Sequence, residues 1–415
     1  MKKIIISLCI IAISICSIGQ QFEPSQVSGD DFDKLKVNVG GDFAIQYQIL
    51  DHNADSALIP LGSGINLPTA NLNLNVDLAK GVKLNLVTYL SSRRHNEAWV
   101  KGGYLQIDEL PFIKSSGVDK VMDYLTIWVG DMELNYGDEH FRRSDNGNVT
   151  RNPFVGNYVM EAFMTSPAFE AMFRNKGIIA MGGITLGVVN PALTRFSAST
   201  NQYTAYDAAR YLAYYWKAGY DRQFNDDFRG RLTLSGYHAP KHYSGSLYNG
   251  DRAGSRYYLV MNRITNAAAD VDIKSNATTG NWGPGSTNKD NSLMVNLFVK
   301  AKGFEVFSTY EIAKGTYVSG KEFKFSQIAA EGLYRFGGRD QFYGGLRYNL
   351  VNGDTDLSIA GDQSVNRIQV AAGWFMLEST VVKVEYVNQS FTDFIASYGA
   401  DAGFNGVMIE AAISF

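Results

Sequence analysis

The chain has 415 residues, with 24 Tyr, 24 Phe and 41 Gly but only 9 Pro, and 38 basic side chains oppose 41 acidic ones for a formal net charge of −3. Mean hydropathy is −0.14, and no run of roughly 18 apolar residues follows the first two dozen positions, so membrane-spanning helices are excluded. No basic patch suits nucleic acid. The glycine and aromatic content, without a 3.6-residue period, points to an all-β chain of many short strands.

Residues 1–19 read as a secretory signal peptide: Lys2 and Lys3, an apolar run over 4–15, and small Ser17 and Gly19 before a cut at Gln20. Both cysteines, Cys9 and Cys16, lie in this leader, so the mature chain is expected to hold no disulfide, thiolate nucleophile or cysteine metal site. Without Lys2 and Lys3, 36 basic residues oppose 41 acidic ones, a formal net charge of −5. Residues 20–34 form a short periplasmic N-terminal segment, too small for a plug domain.

Alternation starts at once. Over 35–49, Leu35, Val37, Val39, Phe43, Ile45, Tyr47 and Ile49 share one face and Lys36, Asn38, Asp42, Gln46 and Gln48 the other. Over 70–78, Ala70, Leu72, Leu74, Val76 and Leu78 alternate with Asn71, Asn73, Asn75 and Asp77. A soluble sandwich also alternates, but a wall with lipid outside and water inside requires so regular an amide face.

Further strands are expected at 82–91, 98–108 and 124–136; in the last, Trp128, Met132, Leu134 and Tyr136 take the greasy face and Asp131, Glu133 and Asn135 the other. A polar loop over 137–167 follows, then strands at 169–174, 178–189, 208–224 and 228–239. The last third adds 292–301, 304–314, 323–336, 341–352, 364–376, 380–391 and 404–415, joined by tight turns such as Lys302-Gly303. Treating 238–290 as one large outer loop with its own hairpin at 255–262 leaves an even count of about 16 strands, as a chain with both ends on one side of the membrane needs. The fold class is a transmembrane antiparallel β-barrel over 35–415, with short periplasmic turns and long extracellular loops.

Assigning the greasy parity to lipid points Arg335, Arg347, Arg367 and Lys383 inward, with Glu305, Glu311, Glu331, Glu385 and Glu410 on the same wall and Asp131 and Glu133 earlier. Asp42, Asp77, Lys83, Lys217, Arg231 and Lys300 join them. These charges either brace the wall or filter ions in a pore; their mixed signs argue against strong anion or cation selectivity. Tyr136, Trp216, Tyr220, Tyr348, Trp374 and Tyr386 suit aromatic girdles at the membrane surfaces.

The closing stretch FNGVMIEAAISF, apolar at Val407, Ile409, Ala411, Ile413 and Phe415, resembles the C-terminal recognition strand of bacterial outer-membrane barrels. That resemblance implies the barrel assembly machinery as a partner, reading the strand at Phe415, besides outer-membrane lipid and lipopolysaccharide. The loop YGDEHFRRSDNGNVTRNPFVGNYVMEAFMTSP is similar in position and length to the inward third loop of 16-stranded porins, and to loops of porin-like barrels of the Bacteroidota, with phosphate-selective porins O and P as relatives considered. It implies an outer-membrane channel for passive diffusion of small polar or ionic solutes, constricted by Asp138, Glu139, Arg142, Arg143, Asp145 and Arg151, with assembly into a homo-oligomer considered. The rival is a non-conducting barrel that anchors or binds a partner in assembly or secretion. No catalytic residue, cofactor or metal site is expected: His140 beside Ser144 or Asp145 matches no motif of outer-membrane phospholipases or proteases, and Pro240 breaks the His238/His242 pair. On barrel closure Glu410 is expected to neighbour Lys36 or Asp42.

Overall fold

In the computed structural model, the described residues are 20–27, 32–91, 98–144, 148–188, 194–197, 200–205, 211–242, 245, 247–248, 255–264, 279–356 and 361–415. The leader and Asp145 lie outside them.

Sixteen strands follow one another around a single antiparallel wall. They are β1 (Lys36–Asn53), β2 (Thr69–Ala79), β3 (Val82–Ser91), β4 (Ala98–Ile107), β5 (Leu125–Glu133), β6 (Thr165–Asn175), β7 (Ile178–Thr185) and β8 (Ala213–Asn225). The second half comprises β9 (Phe228–Ala239), β10 (Thr287–Ala301), β11 (Phe304–Tyr317), β12 (Glu322–Phe336), β13 (Phe342–Gly353), β14 (Gln363–Leu377), β15 (Thr380–Thr392) and β16 (Asp401–Ser414). A short helix, α1 (Ser116–Met122), fills the longest periplasmic turn. Each strand pairs with the next, and β16 returns to β1 with Asp42 opposite Ser414 and Gln46 opposite Glu410. Closure leaves no open edge, as hydrocarbon demands of a spanning sheet.

The sequence makes these strands for simple reasons. Period-two patterning gives β11 through β15 regular in-and-out burial, with Val306, Ile328, Leu346, Val370 and Val384 exposed on the outside and polar neighbours enclosed within. Turns are set by residues that accept positive φ: Lys176 and Gly177, both left-handed, join Asn175 to its partner Ile178. At the chain end, the Phe415 N–H donates to Gly41 O and the Gly41 N–H to Phe415 O, both at 3.0 Å. The Phe415 ring lies where a Cβ on Gly41 would stand.

The outer surface carries an aromatic arc at the periplasmic rim, where Phe304, Tyr334, Phe336, Phe342 and Trp374 stack in succession with centroids 4.6 to 6.1 Å apart. Such rings settle at headgroup level, apolar body toward lipid. Trp216, Tyr348 and Tyr386 also face outward, but Tyr136 does not: it is buried inside and donates to Glu311 Oε1 at 2.9 Å.

The expected lipid-facing side of β5 holds only in part: Asp131 and Glu133 line the interior as expected, but so do Trp128 and Met132. Trp128 and Met132 point into the barrel while Val129 faces out, because interior apolar loop residues give large rings a packing partner that a water-filled lumen would not. A second correction concerns 255–262, which forms no hairpin: the described stretch enters the lumen, with Tyr257, Tyr258 and Val260 buried.

Candidate functional site

The interior is where charge, loops and the remaining space meet. The chain leaves β5 at Glu133, passes Gly137 in a left-handed conformation (φ 70°) and turns inward; a Cβ at Gly137 would collide with Met294 of β10. The resulting third loop, residues 134–164, is buried over almost its whole described length. It lies against the wall formed by β10 through β15.

The wall charges grip this loop. Arg347 donates to Glu331 (2.6 Å), to Gly156 O and to Asn152 Oδ1 (both 3.0 Å), and its guanidinium lies between the rings of Phe154 and Tyr158 at 4.1 and 4.3 Å. Arg367 donates to Asn157 O at 2.5 Å, and Lys383 Nζ to Val149 O at 2.5 Å. Glu385 accepts the backbone N–H groups of Val155 and Gly156 at 2.8 and 3.2 Å. Wall side chains thereby satisfy loop peptide groups that the strand ladder cannot reach.

The loop's own charges reach back. Arg142 pairs with Glu305 at 2.9 Å and with Glu331, while Arg335 reaches Glu305 at 3.4 Å. Glu139 accepts from Gln327 at 3.0 Å, and Arg143 binds Glu161 within the loop at 2.7 Å. Asp138 accepts from Lys217 and Arg231 at 2.8 Å. Burial pushes the Asp138 carboxyl up, but those two cations hold it well below the usual carboxylate range.

The fifth outer loop adds Arg256, buried and paired with Glu410, which also accepts from Lys383 Nζ and Gln46 Nε2, each at 2.8 Å. Glu410 therefore meets Gln46 across the closure, not Lys36 or Asp42; Lys36 pairs with Asp33, and Asp42 faces Ser414. Tyr257 donates to Glu385 at 2.6 Å, and Trp282 packs against Phe325 and Phe394.

From below, residues 20–24 enter the barrel. Phe22 sits edge-on to Phe141 and Phe298, and Glu23 bonds both Lys217 (3.3 Å) and Arg231 (2.7 Å). Burial raises the Glu23 carboxyl, but the two cations outweigh it and leave a pKa of about 2 against an ordinary 4.5. A depressed folded value means the ionised form stabilises docking. That contribution is complete above pH 4.5 and is lost as pH falls through 2. Pepsin cleavage beside Phe22 is expected to be slow near pH 4 in the natural chain and already fast there in Glu23→Gln; equal rates across this range would reject the electrostatic lock.

The opposite side of the lumen stays open as a polar cavity of about 380 Å³ between β2 through β6, the loop and the N-terminal segment. Asp131 and Glu133 line it, as do His140 and Arg151 from the loop. His140 lies 2.5 Å from Glu133 and 3.2 Å from Asn135, and Arg151 donates to Gln21 at 2.9 Å. So the expected site residues divide. Asp131, Glu133 and Arg151 face space, whereas Arg335, Arg347, Arg367, Lys383, Glu305, Glu311, Glu331, Glu385 and Glu410 point inward but are covered by loops. Asp138, Glu139, Arg142 and Arg143 stand in the covering loop.

Sequence reasoning missed Glu23 and Arg256. The apolar run around Tyr257 to Val260 was a signal of burial for the second; one Phe-Glu pair gave none for the first.

A closed sixteen-strand antiparallel barrel with an apolar outside and enclosed charge is the architecture of the outer-membrane class of transmembrane barrels. Solved structures agree on the fold. Outer-membrane expressed OmpT of Vibrio cholerae matches with a TM-score of 0.52 at 11% identity, covering 95% of this chain and 100% of that one. OmpT of the same organism in a trimer form gives 0.51 at 11% identity over 92% and 100%. The outer membrane channel DcaP of Acinetobacter baumannii gives 0.50 at 11% identity over 92% and 97%. No protein-family model and no curated protein matches the chain.

Proposed function

We propose that the protein is a narrow porin-like channel of the outer membrane, exported by its 1–19 leader, through which small polar solutes diffuse. The observation that carries the reading is the inward third loop: it fills the β10–β15 side and leaves the polar cavity against β2 through β6. Residues 137–167 then act as the constriction. Asp131, Glu133 and Arg151 border the passage, and the covered wall charges serve as anchors for the loop.

The reading includes a place among porin-like barrels of the Bacteroidota, assembly through the strand ending at Phe415, a lipid and lipopolysaccharide surround, and homo-oligomers, a trimer form being known for one structural neighbour. Kinship with phosphate-selective porins O and P is the weaker part, because Arg142, Arg231 and Arg347 are committed to carboxylates.

One observation favours the rival, a non-conducting barrel: an apolar cluster joins Val159 and Met160 of the third loop to Tyr257, Trp282 and Phe404 across the lumen. Planar-bilayer recording separates the two. Discrete steps support the channel, and a folded, silent barrel overturns it.

A further inference from the structure

We infer that the cavity beside β2 through β6 accepts neutral, hydroxyl-rich solutes of the sugar class; this rests on the channel reading and names its substrate. Six of its lining groups are carboxamides: Asn71, Asn73 and Asn75 on β2, Asn85 on β3, and Asn135 and Asn148 on the third loop. Alternate residues along a strand stand about 7 Å apart, so the β2 amides form a ladder down the passage.

Their internal bonds orient them. Asn73 Nδ2 donates to Asp42 at 3.0 Å, and Asn85 Nδ2 donates to Asn75 Oδ1 at 2.6 Å. Each bond uses one end of an amide, leaving the acceptor ends of Asn73 and Asn85 and the donor end of Asn75. Donors and acceptors thus alternate along one wall, as a solute whose every hydroxyl both gives and takes a proton requires.

Tyr104 on β4 and Trp128 on β5 border the same space, and aromatic rings are the side chains that pack against the C–H faces of a sugar. Trp128 Nε1 donates to Gln106 at 3.3 Å, which fixes its ring.

Three of the lining carboxylates are held by neighbours. Glu23 is held by Lys217 and Arg231, Glu133 by His140, and Glu170 by the Asn135 amide at 3.4 Å. A charged solute would have to displace these contacts, whereas a neutral one need only exchange water for amides.

The test uses the full barrel in a planar bilayer carrying KCl current, with sucrose or inorganic phosphate added. Sucrose is expected to reduce the current saturably, and its half-effect concentration to rise about tenfold in Asn73→Leu/Asn75→Leu/Asn85→Leu, measured against that variant's own current. Folding of the variant is checked by heat-modifiable gel mobility. Tyr104→Ala, which leaves the amides in place, is expected to weaken the sucrose effect as well.

Current that falls with sucrose only as viscosity dictates, in steps that otherwise persist, overturns the inference and leaves the channel standing. Saturable block by phosphate in place of sucrose overturns it in favour of an anion site. Absence of any steps removes the channel and this inference with it.

Discussion

Excising residues 138–161 and bridging the gap with a short flexible linker is expected to raise single-channel conductance several-fold over that of the intact chain. The third loop fills one side of the lumen, and its removal should convert a slot into a broad pore. The wall survives because its charges exchange loop partners for water: Arg347 loses Gly156 O, Arg367 loses Asn157 O and Lys383 loses Val149 O, and hydration satisfies each without burial. Cationic Arg335, Arg347, Arg367 and Lys383 would then oppose Glu305, Glu311, Glu331, Glu385 and Glu410, nearly in balance. Reversal potentials in asymmetric salt should therefore show only weak selectivity. An unchanged conductance in a variant that still folds would mean that the third loop does not limit the ion path.

The second large effect is expected at Glu410. It receives Lys383 from β15, Arg256 from the fifth outer loop and Gln46 from β1, so three parts of the chain share one carboxylate. Glu410→Ala leaves two enclosed cations without a counter-charge, which costs about 3–5 kcal/mol when a buried pair is broken. Glu410→Gln keeps an acceptor and should lose less. Denaturant midpoints check the first figure, and protease nicking of the fifth loop in the folded protein reports release of Arg256. Wild-type midpoints in both variants would mean that water already reaches the pair.

Much of the fold was readable because one rule governs every strand. The Asn/Leu alternation of 70–78 stated both faces of β2, and the tight turns at Lys176-Gly177 and Lys302-Gly303 fixed which strand ends lie together, giving the even count. The interior was less legible, for identifiable reasons. Trp128 and Met132 read as lipid-facing because greasy parity assumes a wet lumen, and here loop side chains supply an apolar partner. Glu410 opposite Gln46 depends on the stagger with which the last strand meets the first, which alternation fixes only to within steps of two. Arg256 needed the inward path of a loop whose destination is set by distant partners. Glu23 meets Lys217 and Arg231 only once β8 and β9 stand side by side.

Strand length carries one more consequence. Among the described residues, the strands from β2 to β7 are 8 to 11 residues long, whereas from β8 round to β1 they run 12 to 18. The connections at the periplasmic end are short except at α1, so the surplus rises on the outer side. Four extra residues on a tilted strand add about 10 Å of height. Among the described residues, the hydrogen-bonded strands are thus shorter on the side of the amide-lined cavity than on the opposite side. On the proposed channel reading, a solute entering over the short strands reaches Asn71, Asn73 and Asn75 by the shorter descent.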